Sequence, residues 1–109
     1  MKDHRLIDER SLAFDRLTAT KIVADPALIE RARTTLRRWL AAASPRVRPV
    51  LLEWEALLKA PLEELLAVLA ATDERAVRLR QSSPFAGILS TAERTAILRE
   101  FQQRESSAA

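Results

Sequence analysis

Residues 26–43, PALIERARTTLRRWLAAA, decide the fold class. At 100° per residue with Arg31 as zero, Leu28, Ile29, Ala32, Leu36, Trp39 and Leu40 fall between roughly 60° and 180°, one apolar stripe of the width a core-facing helix needs. Arg33 and Arg37 flank the stripe on one side, and Arg31 and Arg38 on the other. Asp25-Pro26 opens the segment with a capping acid and a proline at the first helical position, where its missing N–H costs nothing. A strand would need alternation with period two, and this segment has none.

The rest of the chain agrees. Its 109 residues include 19 Ala and 17 Leu but one glycine, Gly87, and no cysteine. A sandwich or barrel needs turn chemistry every few residues, and a nucleotide-binding α/β fold needs a glycine-rich phosphate loop, so both are excluded. The expectation is an all-α protein, a single compact bundle of five to six short helices spanning residues 1–104, with 105–109 as a frayed tail.

Around the deciding helix, residues 5–23 predict a first helix with Leu6, Ile7, Ala13, Phe14 and Leu17 on one broad face. Ser44-Pro45-Arg46-Val47-Arg48-Pro49 reads as a connector, since two prolines four apart disrupt a regular helix. Val50, Leu51, Trp54, Leu57 and Leu58 mark a third helix, ended at Ala60-Pro61. A fourth opens at Pro61 with Glu63 and Glu64 in its first turn, and Thr72-Asp73-Glu74 signals a fifth, either separate from the fourth or continuous with it. Gln81 to Gly87 breaks the pattern. Ser90-Thr91-Ala92-Glu93 is then a capping box that opens a last helix to about Arg104.

Charge is unevenly placed. Residues 1–48 carry eleven Lys/Arg and six Asp/Glu, net +5, while residues 49–109 carry seven and nine, net −2. Arg31 to Arg48 holds six arginines and no acid, and Glu53 to Glu64 holds four glutamates against Lys59 alone. Such stretches either neutralise each other across adjacent helices or stand as solvated faces.

Catalytic constellations are poor. His4 is the only histidine, Glu53 and Glu55 point in different directions on a helix, and Glu63 and Glu64 serve a helix dipole. The expectation is no enzyme, no cofactor and no metal. The longest apolar run, Leu65 to Ala71, is far short of a membrane span, and the charged N-terminus lacks a leader's apolar region. With no cysteine, these features place the chain in the cytoplasm.

Trp39 and Trp54 sit at core spacing beside leucines. Phe85 has two readings, a plug under its own loop or an exposed anchor for a partner. A helix-turn-helix built from the second and third helices would carry glutamates on its recognition helix, the wrong sign for DNA. The candidate partner-binding residues are Arg31, Arg33, Arg37, Arg38, Arg46, Arg48, Arg78, Arg80 and Phe85.

Two segments, RSLAFDRLTATKIVADPALIERARTTLRRWL (10–40) and RLRQSSPFAGILSTAERTAILREF (78–101), resemble small bacterial antitoxin-like proteins encoded beside a toxin, including nucleotidyltransferase-like toxins. The resemblance covers about half the chain and carries over no specific functional residues. It implies a small protein-binding module that binds and neutralises a partner toxin enzyme. The alternatives are a small DNA-binding transcriptional regulator, with nucleic acid as partner, or a structural subunit of a larger assembly.

Overall fold

The computed structural model describes the backbone of residues 4–108 and the side chains of residues 6–106. Among these residues six helices follow in chain order: α1 (His4–Ala24), α2 (Leu28–Ala42), α3 (Arg48–Lys59), α4 (Leu62–Ala70), α5 (Glu74–Arg80) and α6 (Thr91–Ala108). Among the described residues there is no strand. The chain is an all-α bundle.

Local chemistry sets most helix ends. Asp25 accepts the Ala27 N–H at 3.2 Å, and Leu28, Ile29 and Glu30 each donate to the carbonyl three residues back, so a tight turn precedes α2. That turn moves its regular start from the expected Pro26 to Leu28. Asp73 caps α5 by accepting from the Ala76 N–H, which keeps α4 and α5 separate helices. The Ser90–Glu93 capping box forms in both directions. The Ser90 N–H donates to Glu93 Oε1 at 2.7 Å, and the Glu93 N–H to Ser90 Oγ at 3.1 Å.

Two expectations need correction. Pro49 lies in the first turn of α3 instead of the connector, because a proline there forfeits no intrahelical bond. The last helix runs to Ala108, past the expected end at Arg104; Arg104 pairs with Glu100 one turn back and reaches Glu9 of α1, holding that turn.

The core forms where α2, α3 and α4 close on the second half of α1. Trp54 of α3 is its centre, with no exposed surface, and its indole N–H donates to the Leu79 carbonyl at 2.9 Å. A buried indole without that acceptor would leave an unsatisfied donor. Phe85 stands edge-on to Trp54, with ring centroids 5.9 Å apart at 74°. The segment between α5 and α6 is therefore a lid on the core, with Pro84, Phe85, Ile88 and Leu89 all buried. Gly87 turns it with φ of 89°, a conformation that side chains rarely adopt.

Candidate functional site

The arginine face of α2 divides into tethered and free members. Arg33 donates to Glu30 Oε1 at 2.7 Å and to the Leu58 carbonyl at 2.5 Å, so its charge sits on the C-terminal end of α3. Arg48 likewise donates to the Leu40 carbonyl near the end of α2 at 3.1 Å. Arg37 is exposed and lies 3.7 Å from Glu30, whose carboxyl is held below its ordinary range chiefly by the Arg33 hydrogen bond. Among the described residues Arg31 reaches only the Gly87 carbonyl, at 3.5 Å. Arg38 and Arg46 are exposed with no side-chain partner among the described residues.

The glutamates of α3 and α4 do not neutralise this face. Among the described residues no ion pair joins the 31–48 arginines to the glutamates at 53–64. Glu53 instead takes Arg78 at 2.6 Å and Arg75 at 3.5 Å, clipping α5 to α3, and the Arg78 hydrogen bond lowers its pKa. Arg78 is thus exposed yet internally paired.

Arg80 and Phe85 are not at the surface. The Arg80 side chain is 5% exposed and donates through Nε to Asp15 Oδ2 of α1 at 2.9 Å. Its Nη2 also donates to the carbonyls of Val68, Leu69 and Ala71 at the end of α4. This guanidinium is consumed by the fold. Phe85 is 4% exposed, which decides for the plug and against the anchor, because the leucine-rich core around Trp54 lacks a lid without it. The His4 side chain lies outside the described residues.

Beside α2 lies a cleft of about 320 Å³. Trp39 of α2, Phe14 and Asp15 of α1, Ser82 and Ser83 of the lid, and Arg94 of α6 line it. Every lining residue lies within 10–40 or 78–101, so these two segments meet at this cleft. Arg94 lies over the Phe14 ring, 5.1 Å from its centroid, with no carboxylate partner among the described residues. Sequence reading does not place Phe14, Asp15 and Arg94 in one site, since Asp15 meets Arg80 65 positions on, Phe14 meets Arg94 from the far end of the chain, and no local pattern marks them.

Burial pushes Asp15 from its ordinary 3.8 up to about 6, with Arg80 offsetting part of the effect. The protonated acid therefore favours the fold, and this contribution is full below 3.8 and lost as pH rises through about 6. Glu30, Glu53 and Glu93 act in the opposite sense, because their lowered pKa values lose stabilisation as pH falls. Denaturation of wild type and Asp15→Asn at about pH 7 and about pH 4.5 isolates the Asp15 share. The wild type is expected to gain on the variant at the lower pH; a constant difference refutes the linkage.

Compared with protein-family models, curated proteins and solved structures, the chain shows no match.

Proposed function

We propose that the chain is an antitoxin-like protein-binding module that holds and restrains a partner enzyme. The observation that carries this reading is the free arginine edge. Arg31, Arg38 and Arg46 have no carboxylate within ion-pair distance among the described residues, whereas Arg75, Arg78 and Arg80 are bound internally. Arginine is the side chain best suited to bidentate capture of carboxylates, so an acidic protein surface is the complementary partner. The half-buried Trp39 follows Arg38 on the same helix and adds apolar area beside the charge.

The test is co-expression with the product of an adjacent or overlapping reading frame. The two proteins are expected to co-purify, and the growth defect caused by the partner alone is expected to disappear. Arg31→Glu with Arg38→Glu should slow association by roughly 10-fold and flatten its salt dependence, as rim charges act mostly on encounter. Arg33 and Arg37 are poorer choices because Glu30 already engages both. No association, or an unchanged rate and salt slope in the double variant, would reject the reading.

A further inference from the structure

The first half of α1 and the second half of α6 form an antiparallel pair whose outer face is left open. Lys21 meets Glu93 at 2.8 Å at one end, and Arg104 approaches Glu9 at 3.9 Å at the other, so the two helices run side by side along this length. None of residues 6–14 is buried, and among the described side chains in this stretch of α6 only Phe101 is. Phe101 fills the seam. On one side of it, a groove of about 320 Å³ is lined by Leu6, Ile7, Arg10, Leu98, Gln102 and Glu105 as well as Phe101. Ile7 is 52% exposed and Leu98 37%.

A two-helix pair whose open groove carries Leu6, Ile7 and Leu98 beside Phe101 is half of a four-helix bundle.

We infer that this groove seats the same groove of a second copy of the chain, giving a two-fold dimer joined by a four-helix bundle of α1 and α6 from each subunit. The charge at its rim selects that occupant. Arg10 and Glu105 are one cation and one anion, so the rim is neutral and self-complementary, as an interface that must match itself requires. A strongly acidic or basic partner finds no counterpart there. The arginine edge of α2 lies on other elements and stays free for the proposed enzyme partner.

Sedimentation or light scattering of the isolated chain tests this directly. The mass is expected to rise towards twice 12.3 kDa as concentration increases to the order of 100 µM. Leu98→Glu puts a charge into the groove of each subunit and should weaken dimerisation at least about 100-fold. Helical content should not change, because Leu98 is already part-exposed. Ala96→Glu, on the face of α6 turned away from both Phe101 and the groove, should leave the dimer intact. A monomer throughout the range, or a dimer that persists unchanged in Leu98→Glu, overturns the inference.

Discussion

Arg80→Met is expected to cost roughly 3–5 kcal/mol of folding stability, the largest loss from any single charged residue in the chain. Asp15 is buried on α1 and its side chain is 8% exposed, so removing the guanidinium leaves a buried carboxylate without its ion-pair partner. The same change takes a donor from three carbonyls at the end of α4, of which Val68 keeps the Ala71 N–H. Helices of nine and seven residues, α4 and α5, are too short to stand alone and depend on such ties. Arg80→Lys should rescue little, since one ammonium cannot bond a carboxylate on one side and a row of carbonyls on the other. Asp15→Asn should be milder, because the amide oxygen still accepts from Nε and the carbonyls still hold the charge. Urea or thermal unfolding decides it, with a fall in melting temperature of at least about 10 °C expected for Arg80→Met. A loss below about 1 kcal/mol would show that the pair only breaks even against an apolar replacement, as some buried pairs do.

That pair shows where sequence reading stops. The helices were legible because their signals are local: a stripe of leucines on α2, a proline or capping acid at a start, the Ser90–Glu93 box. Pro49 is not legible in this way, because a proline's meaning depends on whether it falls in the first turn or the interior of a helix. The arginines were harder, as identity does not say which one finds a carboxylate. Arg78 and Arg80 are two apart on α5, so they point to different sides; one meets Glu53 near the surface and the other enters the core to meet Asp15. Both partners belong to other helices. Only the packing of α5 between α1 and α3 distinguishes a fold-holding arginine from a free one, and α2 shows the same sorting, with Arg33 tied to α3 and Arg38 left in solvent.

The second large effect is expected at Phe85. Phe85→Ala should destabilise the isolated protein by roughly 3–5 kcal/mol, the range for truncating a buried phenylalanine in a core that cannot collapse to fill the space. Collapse is hindered on both sides. Trp54 is fixed by its bond to the Leu79 carbonyl, and the lid is held by the Phe85 N–H on Ser83 Oγ at 3.2 Å and the Ile88 N–H on the Phe85 carbonyl at 3.0 Å. Lys21 adds a further restraint, donating to the Ile88 carbonyl at 2.9 Å from α1. The edge-on contact with Trp54 is lost as well, which adds to the burial lost with the ring. Phe85→Leu keeps most of the volume and should cost less than about 1.5 kcal/mol. Partner affinity measured well below the melting temperature of Phe85→Ala should match wild type, since the ring faces Trp54 and not the solvent. If Phe85→Ala instead melts with the wild type and loses its partner, the lid must open on binding and turn Phe85 outward as an anchor.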